Sequence, residues 1–271
     1  MRRLCIGDIH GCYDKLMDVL DRCKFSDSDI LYSVGDFTDR GKQNVKVLDF
    51  IMGLKNFKPV CGNHDLWNYE FLYSLSTGKR IISHDTEKCW VYWNGGKNTA
   101  KEEIDQSSEW QSKVAHFLEH IPYRINLGDK IIIHSVCPPS VYEYVDMPLD
   151  EITMETLKSS NLIKDDVYDE EVWNRGVIGG CKDYYQIGSK KSSYEEYFKN
   201  IYGKEFTGTP IYIIGHTPLD HPFFDKEMGV IGIDTGAFCY KEGWNIDGYL
   251  TVLDIDSFEY WQSDKKGSFQ L

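Results

Sequence analysis

The 271-residue sequence has no apolar stretch approaching the ~20 residues needed to cross a bilayer. It also has no long basic run, and 43 acidic against 30 basic residues give a formal net charge of −13. Binding a nucleic acid or an anionic membrane requires clustered lysines and arginines that neutralise phosphates. The sequence therefore argues against extended nucleic-acid binding and against membrane association.

The cysteines also lack the spacing of a metal ribbon or a disulfide scaffold. Eight are scattered along the chain, and no two are separated by only two residues. The first candidate strand begins within a few residues of Met1, which leaves no room for a signal peptide. We therefore expect reduced thiols and a soluble, cytoplasmic protein.

What is present is an ordinary globular composition, with 41% hydrophobic and 27% charged residues. The length is that of one large domain, or of one domain with a substantial insertion. Residues 138–209 are irregular and rich in Tyr, Lys, Glu and Asp. We predict a single domain over residues 1–271, with a helical cap inserted at 138–209.

The N-terminal third alternates apolar runs with helical patterns. Leu4–Ile6, Ile30–Val34 and Lys58–Cys61 are predicted strands separated by amphipathic helices, a rhythm that favours an α/β fold with a mainly parallel sheet. The periodicity lapses between Ser76 and about Gln106. Later predicted strands are Ile131–Ile133, Ile211–Ile214 and Val230–Ile233, followed by a closing hairpin of Tyr249–Leu253 with Phe258–Trp261.

Chemistry-bearing residues follow the predicted strands. The stretch Gly35–Gly41 reads Gly-Asp-Phe-Thr-Asp-Arg-Gly, and Gly7-Asp-Ile-His-Gly and Gly62-Asn-His-Asp follow the neighbouring strands. Ligands in open α/β sheets bind at the carboxyl ends of strands. We therefore expect these side chains to converge on one edge.

The convergent set contains oxygen and imidazole donors and no thiolate. Its members are Asp8, His10, Asp36, Asn63, His134 and His216. Such donors suit Mn²⁺, Fe or Zn²⁺. Six ligands with one shared carboxylate suit two ions about 3.5–4 Å apart, with Asp36 as the natural bridge. A lone histidine at a strand end is more often structural, but six glycine-flanked positions together reverse that reading.

The three motifs, with His134 and Gly215-His-Thr-Pro, resemble the signature of the calcineurin-like metallophosphoesterases. The Asp39-Arg40-Gly41 ending is similar to the narrower phosphoprotein phosphatase branch, which includes serine/threonine phosphatases and symmetrical diadenosine tetraphosphatases. The resemblance implies a four-layer α/β/β/α sandwich (α/β, or α+β by some schemes). The aromatic-Asn-Gly-Gly segment near Asn94 and the segment Asp234-Thr-Gly resemble the bacterial and phage members of the family.

The resemblance also implies roles for individual residues. Asp8, His10 and Asp36 would hold one divalent ion, and Asp36, Asn63, His134 and His216 the other. Mn²⁺ is the expected metal, with Fe, Zn or Ni as alternatives. A hydroxide shared by the ions would attack phosphorus in line.

The remaining roles concern the leaving group and the phosphate. His64 would be the general acid, oriented by Asp39. Arg40 and Arg175 would grip the phosphate oxygens, and Asn94 would bind substrate. Arg175 is assigned from Trp173-Asn174-Arg175 alone, and Ser135-Val136 departs from the small residues that the family commonly has after its histidine.

Several prominent residues receive a structural interpretation. His84, His116, His120 and His221 lack a strand-end context and are predicted on the surface. Asp254 and Asp256 are predicted in a turn. Trp90, Tyr92 and Trp93 either form a satellite core or line a substrate cleft.

The leading functional interpretation is a serine/threonine protein phosphatase that also hydrolyses small aryl phosphates. The alternative is a symmetrical bis(5'-nucleosyl)-tetraphosphatase, which splits diadenosine tetraphosphate into two ADP, and RNA-end or other phosphoester repair is a third reading. The partner would then be a phosphoprotein or a small phosphoester. A non-catalytic metal-binding module is the alternative from a different class. The sequence leaves the oligomeric state open.

Overall fold

A computed structural model describes residues 1–135, 153–155, 209–226, 229–239 and 248–263, together with the backbone of 265–268. Most of the predicted cap at 138–209 lies outside these residues, and so does Arg175. The single domain and its helical cap therefore stay predictions.

Six α-helices and eleven strands are present in the described part of the chain. The helices are α1 (Tyr13–Arg22), α2 (Asn44–Gly53), α3 (Asn63–Thr77), α4 (His84–Lys88), α5 (Gly96–Ile104) and α6 (Ser108–Glu119). A short π-helical turn spans Cys89–Trp93. The strands are β1 (Arg3–Ile6), β2 (Ile30–Ser33), β3 (Phe57–Pro59), β4 (Arg124–Asn126), β5 (Lys130–Ile133), β6 (Ile211–Ile214), β7 (Phe223–Asp225), β8 (Val230–Gly232), β9 (Thr251–Asp254), β10 (Glu259–Gln262) and β11 (Lys265–Ser268).

The strands form two mixed sheets, which confirms the α/β fold with two sheets that the resemblance implies, whereas the rhythm of the N-terminal third predicted a mainly parallel sheet. The first has the order β11-β10-β9-β1-β2-β3, with β1, β2 and β3 parallel and the C-terminal strands antiparallel. The second has the order β4-β5-β6-β8-β7, with β5, β6 and β8 parallel. The first sheet is mixed because the predicted closing hairpin, β9–β10, pairs antiparallel with β1, and the second is mixed because its edge strands β4 and β7 pair antiparallel with β5 and β8.

Alternation along the strands separates two cores. Leu4 and Ile6 on β1 face the core under α1, α2, α3 and α6, while Cys5 between them faces the second sheet. Val252 and Leu253 on β9 divide in the same way. This period of two places one sheet against helices and the two sheets against each other. The fourth layer implied by the resemblance stays a prediction.

The helical predictions are confirmed with one shift of face. Helix α1 buries Leu16, Val19 and Leu20, as its spacing predicts. Helix α2 buries Asn44, Val47, Leu48 and Ile51, whereas the predicted inward residues Val45 and Met52 are only half-buried. The rotation follows from Asn44, whose side-chain oxygen accepts the backbone N–H of Asp39 at 2.9 Å.

The stretch without periodicity, Ser76 to Gln106, contains α4, the π-helical turn and α5. Trp90 in the turn is fully buried in a small cluster with Trp67, Phe71, Ile82 and Ala100, so the satellite-core interpretation holds for it. Tyr92 and Trp93 are 72% and 82% exposed. Helix α4 buries no residue, the turn buries Trp90, and α5 buries Gly96, Thr99, Ala100 and Glu103, so the stretch shows no 3.6-residue pattern of large apolar residues in the sequence.

Two general expectations can be compared with the described residues. None of the helices there is long and apolar enough to span a membrane. The six cysteines there are free thiols: Cys5, Cys12, Cys23, Cys61, Cys89 and Cys239.

Glu103 on α5 is a fully buried acid outside the predicted ligand set. Neither of its carboxylate oxygens has a hydrogen bond of normal geometry within the described part of the chain. Burial raises the pKa of Glu103 well above its usual range, and the nearby amide of Asn68 only partly opposes the shift. The folded chain therefore favours the protonated, neutral side chain at this position.

We expect Glu103→Gln to stabilise the protein increasingly as pH rises. A raised folded-state pKa contributes stability below the unfolded value of about 4.5, and that stability is lost as pH rises towards the folded value. The neutral amide removes this loss, so the variant should exceed the wild type by about 1 kcal/mol or more at pH 8 and by less at pH 5. Urea denaturation at both pH values measures the difference, with the exposed Glu109→Gln as control. A pH-independent difference would contradict the assignment.

Candidate active site

The six predicted ligand residues all follow strands, and both sheets contribute. Asp8 and His10 follow β1, Asp36 follows β2, Asn63 begins α3 after β3, His134 follows β5, and His216 follows β6. All six are buried. The parallel strands of the two packed sheets therefore deliver these polar side chains to one region, as the motif spacing predicts.

The backbone at this region adopts conformations that L-residues rarely take. Seven described non-glycine residues have positive φ, and five of them carry candidate functions: His10, Asp36, Asp39, Arg40 and His216. Each such conformation costs about 1–3 kcal/mol and persists only where its surroundings hold it. Strain concentrated in this way is typical of a functional site.

Asp65, to which sequence reasoning gave no role, holds the central turn. Its carboxylate accepts the backbone N–H groups of Asp36 at 2.8 Å, Phe37 at 3.0 Å and Gly62 at 2.9 Å. The last contact is one half of a capping box at the start of α3. Asp65 therefore fixes Asp36 and Asn63 relative to each other. Its position three residues after Gly62 is the sequence signal that could have identified it.

Two motif glycines are required by close approach. A Cβ at Gly62 would collide with the carboxylate and backbone of Asp36. A Cβ at Gly215 would collide with the carboxylate of Asp8. Both candidate ligands therefore pack directly against a backbone that has no room for a side chain.

The predicted second ligand set converges. His134 Nδ1 donates to Val34 O at 2.6 Å, and this tautomer turns the Nε2 lone pair inward. Nε2 lies 3.0 Å from Asn63 Oδ1, 3.2 Å from His216 Nδ1 and 3.5 Å from Asp36 Oδ2. Four donor atoms from four strand ends thus meet at one point.

The predicted first set converges in part. His10 Nδ1 donates to Thr38 O at 2.8 Å, so its Nε2 faces Asp36 Oδ2 at 3.6 Å. Asp36 Oδ2 is therefore common to both groups, where a bridging ligand would lie. The structure does not group Asp8 with these two atoms, because its carboxylate accepts the backbone N–H of His216 at 3.0 Å.

The electrostatics of these residues suit cations. Burial raises the pKa of Asp36 to about 8, and Arg40 opposes the shift while Asp234 adds to it. Burial likewise raises the pKa of Asp8, again with a contribution from Asp234. Burial and the Arg40 charge hold the pKa of His10 well below its usual value, which keeps its ring neutral. Clustered buried carboxylates beside neutral imidazoles are a donor set that fits divalent ions.

Asp234 has no metal-binding role in the sequence predictions, although its Asp-Thr-Gly segment was recognised. It is buried, and its Oδ1 accepts the N–H of Gly236 at 2.9 Å. Its negative charge raises the pKa values of both Asp8 and Asp36. It therefore belongs to the same electrostatic cluster.

The predicted acid and phosphate residues lie beside the ligand groups. His64 Nδ1 donates to Asp39 Oδ2 at 2.6 Å. The Arg40 guanidinium donates from Nη1 to His10 Nε2 at 2.7 Å and from Nη2 to His64 Nε2 at 3.0 Å. The His64–Asp39 hydrogen bond is thus formed, and Arg40 connects the His64 ring to that of the candidate ligand His10.

Phe238 supports Arg40 and was missed by sequence reasoning. Its ring centroid lies 4.4 Å from the guanidinium carbon of Arg40, a cation–π distance. The same ring meets His10 edge to face at 5.0 Å. Phe238 follows the Asp234-Thr-Gly segment, and that proximity is its only sequence signal.

Two predicted substrate residues have different outcomes. The Asn94 amide nitrogen donates to Cys89 O at 3.0 Å and closes the π-helical turn, so it is not placed among the ligands. Arg175 lies outside the described residues. Both substrate assignments stay predictions.

The histidines predicted on the surface, His84, His116, His120 and His221, are exposed. Asp254 Oδ1 accepts the N–H groups of Asp256 and Ser257, which confirms a turn there.

Comparison with known proteins shows which protein family this chain is similar to. The profile of the calcineurin-like phosphoesterases matches residues 1–228, which is most of the chain. Among curated relatives, a symmetrical bis(5'-nucleosyl)-tetraphosphatase from Pseudomonas putida is 25% identical and aligns with 97% of this chain and 93% of its own length. One of the same description from Buchnera aphidicola is 37% identical over 97 residues, 32% of this chain, and the match spans 34% of that relative's length.

Solved structures share the fold. A cold-active protein tyrosine phosphatase gives a TM-score of 0.61 at 17% identity, covering 99% of this chain and 78% of that one. A proposed diadenosine tetraphosphatase gives 0.54 at 19% identity, covering 99% of this chain and 95% of the other. At these identities the likeness concerns the fold alone.

We expect the metal-free protein to lose stability between pH 7 and pH 8. The raised folded-state pKa of Asp36, about 8, contributes stability at low pH that is lost as pH rises through this window. His10 adds only a small slope of opposite sign there, because its ring is neutral in the folded state and mostly neutral in the unfolded state above its ordinary pKa of about 6.5. Asp36 should account for about 1 kcal/mol of the loss, and Asp8, Asp65 and Glu103, whose pKa values burial also raises, should add to it. Urea denaturation in a chelator, with the wild type compared with Asp36→Asn, measures the part due to Asp36.

Added Mn²⁺ should restore this stability, and restore more at pH 8 than at pH 7, because protons compete with cations for the carboxylates. The measurement is the same denaturation series with Mn²⁺ in place of chelator, with Asp36→Asn as the variant that should respond least. Equal stabilisation of the wild type and this variant would contradict the assignment of Asp36.

Proposed function

The chain belongs to the calcineurin-like phosphoesterase family, and we propose that it hydrolyses symmetrical dinucleoside tetraphosphates into two nucleoside diphosphates. The observation that carries the proposal is the alignment with a symmetrical tetraphosphatase over nearly the full length of both chains. The comparisons support this alternative better than the serine/threonine phosphatase that the sequence analysis placed first. Family membership indicates a metal-dependent phosphoric ester hydrolase in either case.

The donor set around Asp36 would hold two divalent ions, with Mn²⁺ as the expected metal. Asp36, Asn63, His134 and His216 would form one site, and His10 with Asp36 and Asp8 the other. When bound, such ions supply Lewis-acid polarisation of the phosphate and a nucleophile at neutral pH. This assignment of ligands is our proposal, supported by the convergence of their donor atoms.

The chain's own residues would bind the phosphate and move the proton. Arg40 is directed to the centre by Phe238 and would exchange its contacts to His10 and His64 for phosphate oxygens. That exchange would leave His64 Nε2 facing the leaving oxygen. Asp39 on Nδ1 would stabilise the protonated ring, so that Nε2 can donate its proton.

Exposed aromatics near Arg40 favour a nucleotide substrate. Tyr92 and Trp93 lie in the π-helical turn, and the carbonyl of Gly95, just after it, accepts the backbone N–H of Arg40 at 3.0 Å. Stacking of a base on an aromatic ring contributes about 1–3 kcal/mol. We propose that these two side chains contact a nucleobase of the substrate.

Replacing His64 tests the acid. We expect His64→Asn to lower kcat on phenyl phosphate, whose leaving oxygen needs a proton, by about 10²–10⁴. Metal content, measured by elemental analysis, should be unchanged. Full activity in this variant would contradict the assignment of His64 as the acid.

A comparison of substrates tests the function. With Mn²⁺-loaded protein, we expect kcat/KM for diadenosine tetraphosphate to exceed that for a phosphothreonine peptide at least tenfold (about 1.4 kcal/mol), with ADP as sole product. The double variant Tyr92→Ala with Trp93→Ala should lower the ratio of the two kcat/KM values by about fivefold or more. Leu75→Ala, which truncates another exposed apolar side chain, is the control and should leave the ratio unchanged. A preference for the peptide would restore the protein phosphatase interpretation.

A further inference from the structure

The Asp39 carboxylate holds more than the proposed acid. It is fully buried, and its Oδ2 accepts from His64 Nδ1 at 2.6 Å and from the indole Nε1 of Trp90 at 2.5 Å. Its Oδ1 accepts from the hydroxyl of Thr99 at 2.6 Å. Three side chains from three different elements therefore converge on one carboxylate, away from water.

Both additional donors are held rigidly. The Trp90 ring packs against Phe71, and a Cβ on Gly96 would collide with the indole. The Thr99 hydroxyl also accepts the backbone N–H of Asp39 at 3.1 Å, so it contacts this residue twice. Neither side chain has freedom to leave the carboxylate without disturbing its neighbours.

We propose that Trp90 and Thr99 are positioning residues, which hold the Asp39 carboxylate in the one orientation that directs His64 Nε2 at the leaving group. This inference deepens the proposed function and rests on it for its kinetic test. Trp90 and Thr99 would not touch substrate or metal, and they would act only through Asp39 and His64.

The physical reason is the cost of an unsatisfied buried carboxylate. A carboxylate that loses one of its few donors in a dry site forfeits about 1–3 kcal/mol and reorients or takes up a proton. Burial already raises the pKa of Asp39 to about 7, while the Thr99 and Trp90 hydrogen bonds oppose the shift. Without them Asp39 would bind the His64 ring less firmly.

The kinetic test uses leaving groups that differ in their need for a proton. p-Nitrophenolate leaves without protonation, whereas phenolate does not leave readily. We expect Thr99→Val and Trp90→Phe each to lower kcat on phenyl phosphate by about 10–100-fold, a part of the usual contribution of a general acid. The effect on p-nitrophenyl phosphate should stay below about threefold, with KM for both unchanged.

Matched variants separate positioning from folding. Thr99→Ser keeps the hydroxyl and should restore kcat on phenyl phosphate to within about threefold of the wild type. Trp110→Phe removes another indole that donates to a carboxylate, that of Asp49 at 2.7 Å, and should change neither substrate. Thr77→Val removes a hydroxyl bonded to the Tyr73 carbonyl at the end of α3 and should likewise have no effect.

A spectroscopic arm needs no metal and no substrate. The His64 Nδ1 proton, bonded to a buried carboxylate, should give a far-downfield proton resonance in the metal-free protein. Its loss in His64→Asn assigns it. We expect this signal to shift upfield and broaden in Thr99→Val and Trp90→Phe, and to persist in Thr99→Ser, Thr77→Val and Trp110→Phe.

The outcomes distinguish the inference from the function on which it rests. Equal losses on both aryl phosphates, or an unchanged His64 signal in Thr99→Val, would overturn the positioning role while leaving phosphoester hydrolysis intact. If the wild type hydrolysed no phosphoester, the proposed function would fail. The proton resonance would then still decide whether Trp90 and Thr99 hold the Asp39–His64 pair.

Discussion

The three backbone N–H groups gathered by the Asp65 carboxylate are the interaction on which the rest of the site depends. They hold Asp36 at a positive φ, and the Asp36 carbonyl in turn accepts the N–H groups of Ile9 and His10 at 3.0 Å each. The loops after β1 and β2 are thus locked together through one residue. The side chains on these loops are held in position because these hydrogen bonds fix the backbone conformation of both loops.

The motifs predicted the centre because each places a polar residue directly after a strand, and strand ends converge by topology. Contacts that depend on packing left no such signal. Thr99 lies on a short helix whose buried positions carry small or polar residues, and Phe238 follows a motif without belonging to it. The antiparallel extension of the first sheet was missed for a similar reason, because local periodicity does not say with which strand a hairpin pairs.

A phosphoester substrate is negatively charged, and it would have to bind to a chain that is itself strongly acidic. The structure concentrates buried carboxylates at the site. Among the described groups that shift the pKa of Asp36, the positive charge that opposes them is the guanidinium of Arg40. Such an arrangement repels an anionic substrate until cations are present. Substrate binding and ion binding would therefore be coupled, whichever phosphoester proves to be the substrate.

The distribution of donors over two sheets has a mechanical consequence. Asp36 and Asn63 belong to the first sheet's loops, whereas His134 and His216 follow strands of the second. An ion held by all four would connect segments that lie 71 to 153 positions apart from Asn63 in the chain, and because it binds only their folded arrangement it would stabilise that state by mass action. In a chain whose described cysteines are free thiols, a metal centre of this kind would also tie the two layers of the sandwich together.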